Sequence, residues 1–155
     1  VSGAAGLRAA VGRGDLTEVE RLVAADRRLV RTLLGMTYQA DPARCAVAAD
    51  GLALAARHHP ELLTDVLRRL IWAMNDESGT NAMNAPLVIR RIAESEPRLL
   101  VGLVPDLLRL TADPVLRDEL VAAVRRVAEL LPAQAAAALR GGLGKCSTGG
   151  RSHAS

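Results

Sequence analysis

Arg90-Arg91-Ile92-Ala93-Glu94, with Pro97 three residues on, returns as Arg125-Arg126-Val127-Ala128-Glu129 with Pro132 three residues on, both parts displaced by 35 residues. A charged pair beside an apolar residue, then a proline, is the pattern of one helix ending and another starting. A looser copy ends at Pro60, 37 residues before Pro97. A fainter one puts Arg27 in the proline position, 33 residues before Pro60, with Arg21 matching Arg91 and Arg126. A period in the middle thirties with two helices per unit predicts an all-α chain, an α–α superhelix built as a short solenoid of about four repeats.

Composition agrees with helix-on-helix packing. Half of the 155 residues are hydrophobic, yet Phe is absent and Trp72 and Tyr38 are the whole aromatic complement, so Leu, Val, Ile and Ala must fill the core. No alternation of period two is sustained, which leaves a sheet without support. The net charge of +3 sits outside the candidate fold: residues 1–139 hold 17 basic and 17 acidic groups, and Arg140, Lys145 and Arg151 supply the excess. Basicity therefore says little about a nucleic-acid groove. Cys45 and Cys146 stand in unrelated settings and imply no disulfide framework. No apolar run approaches the length of a membrane span and the first residues lack the order of a signal peptide, so the expectation is a cytoplasmic protein without membrane contact.

Along the chain, Asp15 caps a helix over 16–25 after Gly12-Arg13-Gly14, and a further helix covers 27–36. Pro42 opens an Ala-rich segment to His58 that Asp50-Gly51 interrupts, and Pro60 opens the most regular helix of the first half. Pro86, Pro97 and Asp113-Pro114 open later helices; Pro105 kinks or divides the one after Pro97, and Gly141-Gly142 ends the last. One helical-repeat domain over 1–141 and a disordered tail over 142–155 follow.

Between the regular helices lies a polar stretch, Trp72-Ala-Met-Asn-Asp-Glu-Ser-Gly-Thr-Asn-Ala-Met-Asn-Ala-Pro86, longer than the usual helix connection. Its Trp72 to Gly79 segment, then Ala85-Pro86 and Ile92, resembles the central motif of a group of bacterial HEAT-like (armadillo-type, PBS-lyase HEAT-like) repeat proteins. HEAT-like repeats tolerate purely aliphatic cores, and the resemblance implies a right-handed solenoid of HEAT-like helical pairs. This chain departs from the motif at Met83, Leu87 and Arg91, where the group carries Trp, Glu and Glu. The resemblance implies fold and no particular activity.

The stretch is also the leading site candidate. Trp72, Asn75, Asp76, Glu77, Ser78, Asn81 and Asn84 concentrate contact-forming side chains, with Arg91 and Arg126 expected nearby. As a cation loop its ligand spacing is wrong, so no metal is assigned. The structural alternative is that Asp76 and Ser78 hold a turn while Asn84 caps the helix at Pro86. Trp72 is expected to pack under this stretch, the alternative being an aromatic anchor for a partner. Arg90-Arg91 and Arg125-Arg126 would stack into a ridge that Arg21 extends. Against a phosphate-binding role, Glu94 and Glu129 stand at the spacing of intrahelical ion pairs. His58-His59 fit a helix end, and a metal site joining them to Asp41 and Cys45 is a minor reading. No nucleophile–base set or carboxylate pair stands out. The expected function is a non-enzymatic interaction module without cofactor, engaging an unidentified protein partner around 72–86, with nucleic-acid binding as the alternative.

Overall fold

The computed structural model describes residues 3–76 and 84–148, the last seven as backbone only. The described residues form helices joined by turns and short connectors, with no strand. In order they form α1 (Gly3–Arg13), α2 (Leu16–Ala25), α3 (Leu29–Met36), α4 (Pro42–His58), α5 (Pro60–Asn75), α6 (Ala85–Ser95), a 3-10 helix (Pro97–Leu103), α7 (Val104–Leu110), α8 (Pro114–Leu130) and α9 (Pro132–Thr148).

Four of these helices lie side by side and point the same way. At the N-terminal ends of α4 and α6, the amide of Asn84 reaches the Cys45 sulfur at 3.5 Å. Midway, Arg91 meets Asp50 at 3.2 Å, and at the C-terminal ends Arg57 Nε donates to Ser95 Oγ at 3.2 Å. Contacts that keep this order from end to end define parallel helices. The α2–α4 pair is bonded through Glu20 to His58 and through the Val23 carbonyl to His59, and α6 is joined to α8 by Arg90 and Glu119. The remaining helices form a second layer. There α3 touches α2 and α4, α5 touches α4 and α6, the 3-10 helix and α7 touch α8, and α9 packs on α8.

One corner turns the chain from the first layer to the second, four times. Asp26, His59, Glu96 and Leu131 hold φ of −137°, −134°, −137° and −135°, and each N–H bonds the carbonyl four residues back. At the last three the cause is the following proline, whose ring disfavours helical backbone in the residue before it. At the first no proline is present, and the Asp26 carboxylate makes the turn itself by accepting from the Arg28 N–H at 3.0 Å. This is why Arg27 reads as a faint copy of Pro60, Pro97 and Pro132.

The core lies between the layers, where Leu52, Leu63, Leu67, Ile89, Ile92, Leu100, Leu107 and Leu120 are fully buried. Pro105 divides its segment as expected: the chain runs as a 3-10 helix to Leu103 and restarts as α7 with the proline in its first turn, where its missing N–H costs nothing. Two expectations fail. Gly51 does not interrupt α4; a Cβ there would stand 2.9 Å from Val19 Cγ1 and 3.2 Å from both Leu33 methyls, so the glycine lets α2 and α3 close onto α4. Gly141-Gly142 does not end α9, which continues to Thr148. Residues 149–155 lie outside the described residues. No helix among those described is long and apolar enough to cross a membrane.

Candidate interaction surface

The parallel row has two edges, and Asn84, which precedes α6, belongs to the edge where the four helices begin. Three starts are alike: Asp15, Asp41 and Asp113 accept a bond from the N–H of Glu18, Ala43 and Val115 at 3.2, 3.0 and 2.9 Å, satisfying a donor that has no partner within the helix.

Asn84 breaks the series. Expected as a cap, it makes no side-chain bond to its own helix. Its amide instead donates to the Thr37 carbonyl at 2.6 Å and faces the Cys45 sulfur. Thr37 is buried, and Cys45 in turn donates to the Gln39 carbonyl at 2.9 Å. A carbonyl leaving the end of α3 needs a donor once water is excluded, and a neighbouring unit supplies it. The side chain therefore ties the start of α6 to the connector before α4.

The other predicted residues of the stretch divide. Asn75 bonds back to the Ile71 carbonyl of its own helix at 3.0 Å, and Asp76 ends α5 with its N–H on the Ala73 carbonyl. Glu77, Ser78 and Asn81 lie outside the described residues. Trp72 overturns the expectation that it packs: it is 72% exposed. The reason is its place in α5, where Leu63, Leu67, Leu70 and Met74 face the core while Glu61, Asp65, Arg68 and Trp72 recur on the solvent side at spacings of three and four. Tyr38, in the connector that Asn84 holds, is also exposed. Sequence reasoning passed over it; its signal was its position beside the next unit's capping residue.

Arg91 and Arg126 come together with Arg90 and Arg125, but away from Trp72, on the open face of the first layer. A cleft between α4 and α6 is lined by Asp50, Leu54, Arg57, Arg91, Glu94 and Ser95, and a second between α6 and α8 by Arg90, Glu94, Arg125, Arg126 and Glu129. The ridge is largely neutralised. Arg91 pairs with Asp50, Arg90 with Glu119 at 3.0 Å and Glu94 at 3.4 Å, and Arg126 with Glu129 at 3.7 Å. The expected Arg125–Glu129 pair is replaced by this last one, and Arg21 turns to Glu18 of its own helix. Burial holds the Asp50 carboxyl above the ordinary aspartate range, with Glu94 pushing the same way and Arg91 opposing. Arg91 Nε is buried without a hydrogen-bond partner. Asp50, Arg57 and Glu119 were missed in the sequence. The period offers a signal for Arg57, whose bond to Ser95 spans 38 residues, but not for Glu119, 29 residues from Arg90.

The histidines serve the α2–α4 contact. His59 Nε2 lies 2.8 Å from the Val23 carbonyl, an acceptor, so that nitrogen carries the proton. Cys45 and His58 stand thirteen residues apart on one helix, about 20 Å at ~1.5 Å per residue, which separates the metal ligands weighed above. Comparison with protein-family models, with curated proteins and with solved structures returned no match.

Proposed function

We propose that this chain is a non-enzymatic interaction module, a short solenoid of about four HEAT-like helical pairs that presents a rigid surface to a protein partner. The partner surface is the end of α5, Trp72, Asn75 and Asp76, with the exposed Tyr38 of the connector before α4; Glu77, Ser78 and Asn81 enter the proposal from the sequence and lie outside the described residues. The exposed indole of Trp72 carries this reading. A Trp costs little conformational entropy to immobilise and contributes a large contact area, which is why it dominates binding surfaces. Support also comes from the Asn84–Thr37 bond, which fixes the edge beside it.

The test uses the single Trp as its own reporter. Partner is captured from a native extract on the immobilised protein, then added back purified while indole emission is followed. A blue shift on binding, with capture lost in Trp72→Ala and in a combined Asp76→Ala, Glu77→Ala and Asn81→Ala variant of unchanged melting temperature, supports the reading. Equal capture by all forms rejects it.

A further inference from the structure

We propose that the two adjoining clefts across α4, α6 and α8 form a second surface, a furrow that holds an extended acidic peptide segment, with Arg57 and Arg125 receiving its carboxylates. The proposal shares with the preceding one only the idea of an interaction module, because the furrow lies on the layer opposite the exposed stripe of α5.

The clefts meet at Glu94, which lines both. Five guanidinium groups, those of Arg57, Arg90, Arg91, Arg125 and Arg126, border them. Three are answered by carboxylates: Arg91 by Asp50, Arg90 by Glu119 and Glu94, Arg126 by Glu129. Two are not. Arg57 has only the neutral Ser95 hydroxyl, and Arg125 has no hydrogen-bond or ion-pair partner among the described residues. Both are exposed, one on α4 and one on α8, with α6 between them. The small side chains of Ala53 and Ala122 leave the floor of the furrow open.

This arrangement sets the ligand. Two guanidiniums without a carboxylate partner, separated by two helix spacings of about 8–10 Å, call for two anions some 16–20 Å apart. An extended chain covers that span in about five or six residues at ~3.3 Å each. Between them the ligand must cross Glu94 and approach Glu129, so its middle must be neutral or basic. A nucleic acid cannot meet that condition, since duplex DNA carries one phosphate charge per ~1.7 Å and would lay several against the carboxylates. A peptide with acidic residues at its two ends satisfies it, and each carboxylate gains the paired N–H geometry that a guanidinium offers.

The probe is a synthetic peptide with Glu at both ends of five neutral residues, titrated into the full chain at low salt while the side-chain Nε–H signals of the arginines are followed by NMR. Expected are saturable shifts of Arg57 and Arg125, no binding of the peptide with Gln at both ends, and roughly tenfold weaker binding in Arg57→Gln or Arg125→Gln. Trp72→Ala should bind the peptide as the parent does, which separates this surface from the one proposed above. Circular dichroism melts verify that the variants are folded. Equal binding of the Glu and Gln peptides, undiminished binding in both arginine variants, or tighter binding of duplex DNA that displaces the peptide would each overturn the proposal.

Discussion

At their C-terminal ends α2, α4, α6 and α8 turn through one corner used four times, while at their N-terminal ends three starts share an aspartate cap and the fourth does not. The corner edge has one backbone conformation at Asp26, His59, Glu96 and Leu131, set by a following proline at three of them and by the Asp26 carboxylate at the first. The starting edge is built from side chains, and its connectors differ in length from Gly14–Asp15 to the stretch between Asp76 and Asn84. The repeated corner reverses the chain in the same way after each of the four parallel helices. The other edge distinguishes one helix start from the next.

The comparison can be broken most severely from below. Ile92, whose carbonyl receives the Glu96 corner bond, is fully buried between layers, and Ile92→Ala should lose about 2–5 kcal/mol in urea denaturation. Asn84→Asp tests the exception directly. An aspartate would suit a helix start, yet the substitution should destabilise by about 1–3 kcal/mol, because the buried Thr37 carbonyl keeps only the weak Cys45 thiol donor and gains a negative neighbour. A gain in stability would show that capping governs that position too. Asp41→Ala and Asp113→Ala, by contrast, should each cost about 0.5–2 kcal/mol through an ordinary lost cap.

A pH series sharpens the contrast between the two kinds of carboxylate. Arg21 beside Glu18 and Arg28 beside Asp26 hold those groups below their ordinary values, so the stability they contribute is present at neutral pH and lost as pH falls through the folded values. Asp50 runs the other way. Burial raises it, so the folded state binds its proton more readily than the unfolded chain, and stability from this group declines as pH rises above the ordinary aspartate range. Asp50→Asn should therefore make stability rise more steeply with pH across the acidic range, as followed by melting temperature. The smallest effect is expected at Trp72→Ala, within about 0.5 kcal/mol of the parent, since the side chain leaves no cavity.

What could be read in the sequence was local. Proline after a charged turn, aspartate before an apolar run and Pro105 inside a Leu-rich segment each act on their own few residues, and the helix boundaries they announce are those found. Gly51 misled because its neighbours Val19 and Leu33 are distant in the chain, and its value is the space it leaves rather than a turn it makes. Asn84 misled for the same reason, its partners being Thr37 and Cys45. Of the candidate site, the position beside α5 was legible, while the exposure of Trp72 was not. A Trp beside a polar stretch is equally compatible with either side of a helix until its neighbours at three and four residues are weighed as a stripe. The grouping of Arg91 and Arg126 with Trp72 failed because proximity in repeat order does not say which layer a side chain faces.

The shared direction of α2, α4, α6 and α8 has an electrical result. Within this row the peptide dipoles add, each helix start carrying about half a positive charge, while the helices of the second layer run back and oppose them. Asp15, Asp41 and Asp113 offset three of these, and α6 begins with no acidic residue in its first turn. The imbalance is therefore local: of the four starts, that of α6 alone has neither an aspartate cap nor an acidic first turn. A carboxylate introduced in the first turn of α6 would gain more there than at the other three starts, and less as salt is added.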